Sequence, residues 1–119
     1  MDLKTCYDAL GGSYQDVTDR LPSERLVRRL LLKFPEDPSF RDLGDALSSG
    51  DRETAFRSAH NLKGICLNLG LTALLASASA MTEALRPGRD TDSARLLSLW
   101  EDVRRDHTRA VTAIGQLDA

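Results

Sequence analysis

Apolar residues recur at intervals of three or four positions along most of this 119-residue chain, as they do on one face of an α-helix. No segment alternates apolar and polar residues for long enough to predict a β-strand. Glycine and proline divide the chain into about six helical segments with short connections. Amphipathic helices joined in this way bury their apolar faces against one another. The pattern predicts an all-α antiparallel helical bundle, and the length predicts one domain over residues 1–119.

Turn-forming and capping residues predict where the first helices begin and end. A short N-terminal helix is expected to stop at Gly11-Gly12, and Ser13 is a suitable N-cap for the next one. Pro22 interrupts that second helix. Because proline is favourable at a first helical position, we expect a third helix to restart there. The apolar stripe expected on this third helix consists of Leu26, Leu30 and Phe34.

The later segments carry longer apolar stripes, which predict the core faces of the remaining helices. These stripes comprise Phe40, Leu43 and Leu47; Ala55, Ala59, Leu62, Cys66 and Leu69; Leu71, Leu74, Leu75, Ala78, Met81 and Leu85; and Leu96, Trp100, Val103, His107, Ala110 and Ile114. The second stripe lies on a helix that we expect from about Arg52 to Leu69, capped by Asp51 and ended by Gly70.

Composition and charge narrow the class of protein. The chain is 41% apolar and 29% charged, which is typical of a folded globular domain rather than a disordered one. Its net charge of −2 provides no overall field for binding nucleic acid. We expect no membrane span and no signal peptide, and therefore a cytoplasmic protein. We also expect a monomer. Cys6 and Cys66 are expected to be small reduced core residues, although the sequence alone does not exclude a disulfide.

His60 lies opposite the apolar stripe of its helix when the residues are placed at 100° intervals. We therefore expect its imidazole to face solvent. Lys63 follows by three residues and can hold an anion attached to the ring. Phe56, Arg57 and Leu67 border this face and are the candidate partner-docking residues, since apolar side chains on a polar face are typical of an interface.

Gly64 is unusual because glycine in a helix interior costs about 1 kcal/mol relative to alanine. One explanation is that the missing side chain lets a partner reach His60. The alternative is that another helix packs closely over the glycine.

The other candidate sites are weaker. His107 continues the stripe of the last helix and is expected to be a packed or boundary histidine. Two histidines 47 positions apart, with no cysteine pair near either, make a poor zinc site, so we expect no metal site. The sequence contains no phosphate-binding loop or nucleophile–base motif. A basic cluster at Arg25, Arg28 and Arg29 is expected to be a solvated face, with an interaction surface as the alternative.

The residues around His60 resemble the signature of histidine-containing phosphotransfer (Hpt) domains, in which a histidine is followed by leucine, lysine and glycine in the pattern H-x-L-K-G. This chain has His60-Asn61-Leu62-Lys63-Gly64. The resemblance extends over residues 34–85 and includes an aromatic residue at the end of one helix and an Asn-Leu-Gly exit after the motif. It implies a four-helix bundle, here with additional short N-terminal helices.

The resemblance also implies a role for each motif residue. His60 corresponds to the phosphoacceptor, Lys63 to the lysine beside the phosphoryl group, and Gly64 to the glycine that clears access. Such domains exchange a phosphoryl group with the aspartate of a response-regulator receiver domain, or accept it from a sensor histidine kinase. We therefore expect a phosphorelay carrier that is not an enzyme and has no cofactor, because the partner supplies Mg²⁺ and acidic residues. A non-reactive helical interaction module with the same fold is the alternative.

Overall fold

A computed structural model describes residues 1–117 of the chain, and this part contains no β-strand. It forms seven α-helices: α1 (Leu3–Leu10), α2 (Tyr14–Arg20), α3 (Glu24–Lys33), α4 (Ser39–Ser49), α5 (Arg52–Leu69), α6 (Thr72–Leu85) and α7 (Ser93–Ile114). A single 3-10 turn, Phe34–Glu36, joins α3 to α4. The all-α prediction is confirmed.

Helices α4 to α7 form the antiparallel four-helix bundle. Helix α5 packs between α4 and α6, and α6 packs against α7. Gly50 and Gly70 end α4 and α5 in the left-handed conformation, with φ of +74° and +68°. Because glycine adopts this conformation without strain, the chain reverses direction within one or two residues after each of these helices. These tight reversals place α5 along the middle of the bundle with one long face directed outward.

The expected core faces of α5 and α6 are confirmed, since nearly all of their predicted residues are buried. On α4 and α7, the ring side chains of the predicted core faces, Phe40, Trp100 and His107, are only half-buried at the edge of the core. The Phe40 ring stacks on the His107 ring, with centroids 3.7 Å apart and planes 2° apart. The Trp100 ring also stacks on the Phe40 ring, with centroids 5.0 Å apart. His107 is therefore a packed boundary histidine, as predicted.

The short N-terminal helices hold the carboxyl end of α5. The hydroxyl of Tyr7 donates a hydrogen bond to the Leu69 carbonyl at 2.6 Å, and the backbone N–H of Ser13 donates to the Gly70 carbonyl at 2.9 Å. The Arg20 guanidinium donates to the carbonyls of Leu67 and Asn68. The last carbonyls of a helix have no partner within it. Here α1 and α2 supply those partners.

Two expectations about α3 are wrong. Ser23, not Pro22, begins the helix, because its side chain accepts a hydrogen bond from the backbone N–H of Leu26. Pro22 lies before the helix and only interrupts the chain. The buried residues of α3 are Val27 and Leu31, whereas Leu26 and Leu30 are half-buried. Of the expected stripe, only Phe34, in the turn after α3, is buried.

The cysteine prediction is confirmed. Cys6 and Cys66 are both buried and neither forms a disulfide within the described part of the chain. Burial raises the pKa of the Cys66 thiol to about 12 and also raises that of Cys6. Both thiols are therefore protonated, inert core groups at neutral pH.

Candidate functional site

Helix α5 presents His60 to solvent, as predicted. The N-cap of the helix is Asp51, whose carboxylate accepts a hydrogen bond from the backbone N–H of Thr54 at 3.1 Å. Hydrogen bonding to the side chain of Thr54, and then to its backbone, lowers the pKa of Asp51. Its inward face is buried, at Ala55, Ala59, Leu62, Cys66 and Leu69. His60 is exposed on the opposite face, near the middle of the helix. The imidazole therefore stands on a rigid element whose two ends are capped.

Two side chains on α5 flank the imidazole. The ring of Phe56 lies one turn earlier, with its centroid 6.2 Å from that of His60 and the planes 20° apart. Lys63 lies one turn later and is half-buried. It makes no ion pair within residues 1–117, although its charge helps to lower the pKa of Glu83 on α6, after the larger effect of Arg86. The ammonium group of Lys63 is therefore available to an anion that approaches the imidazole.

Gly64 lies beside His60 in open space. A Cβ atom built at this position meets no atom within 4 Å among the described residues outside its own helical turns. Gly44 on α4 contrasts with it, because a Cβ there lies 3.0 Å from the Trp100 ring. Close packing of a helix over Gly64 is therefore excluded for the described chain, and the access interpretation is the one that the geometry favours.

One flank of His60 is a shallow, open depression of about 510 Å³ between α5 and the segment that precedes α4. Gly64 and Asn68 line it along α5, and Asp37 and Ser39 line the opposite side. The depression adjoins an apolar cleft that continues toward α3 and Phe34. This flank therefore offers a partner a surface with apolar and acidic groups.

The other flank is a cleft of about 470 Å³ between the start of α5 and the end of α6. Phe56 lines it, and the guanidinium of Arg86 lies 5.6 Å from the centroid of that ring. Arg52 and Arg89 also line it. This flank is therefore basic, and its two arginines from beyond α5 were not predicted as site residues.

Comparison with known protein families identifies the chain. The Hpt domain family model matches residues 25–115, which is most of the sequence. The chain belongs to the Hpt domain family. No curated protein and no solved structure matches it at a significant level. Hpt domains act in phosphotransfer within two-component phosphorelays, and they interact with receiver domains and kinases.

The predicted docking residues of this Hpt domain lie on both sides of the histidine. Phe56 is half-buried beside the basic cleft. Arg57 is exposed and forms an ion pair with Glu53 at 3.2 Å. Leu67 is 52% exposed, two turns beyond His60. The structure thus leaves all three within reach of a partner that covers the exposed face of α5.

Residues 1–117 contain no group of three or more His, Cys, Asp or Glu side chains that could hold a metal ion. Within the same range, no helix has both the length and the apolar character of a membrane span.

Proposed function

We propose that this Hpt domain is a phosphorelay carrier that accepts a phosphoryl group on His60 and passes it to or from the aspartate of a receiver domain. The observation that carries the proposal is the exposed imidazole on a rigid helix with open space beside it at Gly64. In phosphoryl transfer the attacking atom, phosphorus and leaving atom lie roughly in line. An imidazole that packed against a neighbouring helix would not permit this alignment.

The proposed transfer is a simple displacement. A ring nitrogen of His60 directs its lone pair at the phosphorus of an aspartyl phosphate, and a P–N bond forms. The P–O bond to the aspartate breaks, and its electron pair remains on the carboxylate. The proton on the other ring nitrogen stays there or passes to water. Lys63 stabilises the negative phosphoryl oxygens, since a cation close to transferring phosphate lowers the cost of its charge.

The partner supplies the remaining machinery in this proposal. Receiver domains and sensor kinases bring Mg²⁺ and the carboxylates that hold it, so this chain acts as a carrier and not as an enzyme. Phe56, Arg57 and Leu67 are the residues that we propose contact the partner around His60. We further propose that the protein works as a cytoplasmic monomer, because a carrier that visits two partners must expose the same face to each.

Phosphate transfer from receiver domains tests the proposal. Purified receivers, phosphorylated with a small acyl phosphate and freed from it, are mixed with the wild-type protein and with His60→Gln. We expect acid-labile, base-stable phosphate on the wild type and none on His60→Gln, with little change in melting temperature because the side chain is exposed.

The chain offers a matched control in its second histidine. His107→Gln removes a packed ring and should still be labelled, because His107 lies between Phe40 and Phe34 rather than on the open face. Labelling that survives in His60→Gln, or that is lost only in His107→Gln, would contradict the assignment. A folded wild-type protein that binds receivers but never becomes labelled would be a non-reactive interaction module.

A further inference from the structure

The surface around His60 is electrostatically unequal. Toward α4 the histidine borders a depression that contains the carboxylate of Asp37. Toward α6, the ring of Phe56 lies next to the imidazole and lines a cleft together with Arg52, Arg86 and Arg89, hereafter the arginine cleft. In a chain whose net charge is −2, this cleft is a local concentration of positive charge.

Ion pairs within the chain neutralise only part of that charge. Arg86 forms an ion pair with Glu83 at 2.6 Å, and this pair lowers the pKa of Glu83. The carboxylate of Glu83 therefore neutralises part of the charge of Arg86. Glu53, the acidic residue that lines the cleft, is occupied by Arg57 at 3.2 Å. Arg52 and Arg89 make no ion pair within the described chain, although the charge of Arg89 contributes weakly, after Arg86 and Lys63, to the lowered pKa of Glu83. Neither guanidinium is therefore held by a direct carboxylate contact within residues 1–117.

The arginine cleft is continuous with the histidine. Phe56 belongs to the wall of the cleft, and its ring lies 6.2 Å from the imidazole and 5.6 Å from the guanidinium carbon of Arg86. A protein seated over His60 would therefore cover Phe56 and reach the arginines beyond it. The occupant is constrained by the chemistry, because a partner that carries Mg²⁺ for phosphoryl transfer surrounds its phosphorylation site with carboxylates.

We propose that the arginine cleft receives an acidic segment at the rim of the receiver domain's phosphorylation site and thereby fixes the side from which the receiver approaches His60. This inference rests on the proposed function, since it names the partner surface for that same site. Opposite charges at the edge of an interface mainly accelerate association and set orientation. The arginine cleft should therefore control how fast receivers bind, and the chemistry at His60 should remain unchanged once they are bound.

Charge reversal tests the inference. Arg52→Glu and Arg89→Glu are compared with Arg25→Glu, which makes the same change in net charge at an exposed position of α3 outside the arginine cleft. Transfer from a phosphorylated receiver is followed at several receiver concentrations and salt concentrations. At low salt we expect each cleft variant to lower the second-order transfer rate constant roughly fivefold, and Arg25→Glu to change it little. At saturating receiver the rates should agree, and added salt should remove the difference.

The outcomes separate this inference from the function on which it rests. Equal rate constants for all variants, or an equal loss in Arg25→Glu, would overturn the role of the arginine cleft while labelling of His60 still supported the carrier function. A slower rate at saturating receiver would also overturn it, because the arginines would then act on the chemistry and not on approach. Absence of phosphate on the wild type would instead refute the carrier function.

Binding without chemistry provides a second measurement. His60→Gln with and without Arg52→Glu is titrated with unphosphorylated receiver and Mg²⁺ in a calorimeter. We expect the added charge reversal to weaken binding at low salt by about the same factor as the transfer rate constant. Unchanged affinity in this pair would count against the arginine cleft even if the labelling of the wild type were normal.

Discussion

Replacing Gly64 with alanine should stabilise the domain, because this position combines a helix interior with open surroundings. Glycine costs about 0.8–1.0 kcal/mol relative to alanine inside a helix. The added Cβ meets no described atom within 4 Å, so packing adds nothing to this gain and subtracts nothing from it. The carboxyl end of α5 is held by Tyr7 and Arg20, so the helix does not fray back toward Gly64. We therefore expect almost the full gain of about 1 kcal/mol.

The gain is large enough to measure by equilibrium unfolding. With a denaturant dependence of about 1.5 kcal/mol per molar urea, the midpoint should rise by roughly 0.6 M. The melting temperature should rise by about 4 °C for a domain of this size. Gly44→Ala is the matched control, since it makes the same change inside α4 but brings the new Cβ to 3.0 Å from the Trp100 ring. That ring is stacked on Phe40, so we expect no gain there.

A long side chain at position 64 should slow phosphoryl transfer, whereas the short alanine side chain should raise stability. Gly64→Gln should fold, because no described atom within 4 Å opposes its Cβ. It should slow transfer from receivers, because the added chain occupies the space beside His60. A fall in the unfolding midpoint of Gly64→Ala would refute the reasoning and make the glycine a packing residue. Normal transfer by Gly64→Gln would refute the access role alone.

Two other variants probe single interactions. Lys63→Ala should slow phosphoryl transfer or shorten the phosphohistidine lifetime several-fold at low salt, since a half-buried cation at the surface contributes about 1 kcal/mol. Unchanged kinetics would show that the lysine is not involved. Burial lowers the pKa of His107, against a smaller opposing effect of Asp37, so below about pH 6.5 the unfolded chain takes up a proton that the folded chain does not. As the pH is lowered from 7 to 5, the free energy of unfolding should therefore decrease more steeply in the wild type than in His107→Gln. Parallel urea-unfolding profiles of the two proteins over this range would contradict this.

The sequence predicted α5 and the exposure of His60 correctly because both depend only on the pattern of residues within this one helix. Its apolar residues form a single arc, so Cys66 and Leu62 can only face inward and His60 can only face outward. Helix α3 shows the limit of the same reasoning. Leu26, Val27, Leu30 and Leu31 form two adjacent apolar stripes, and periodicity does not distinguish them. The packing of α3 on the bundle selects Val27 and Leu31.

The arginine cleft was not predicted because its parts are far apart in sequence. Arg86 and Arg89 occur at the end of α6 and in the loop after it. Their position beside Phe56 depends on α6 packing antiparallel to α5. The carbonyl partners supplied by Tyr7 and Arg20 were missed for the same reason, since only the folded chain brings α1 and α2 to residues 67–69.

The anchoring of α5 by the N-terminal helices has a consequence for modularity. The family model begins at residue 25, yet Tyr7, Ser13 and Arg20 all precede it. Transplanting only residues 25–115 into another protein would carry His60 and leave behind the groups that hold the far end of its helix. The segment that can be moved as an intact module is therefore longer than the segment that matches the family model. Any exchange of this domain between proteins would have to include the first two helices.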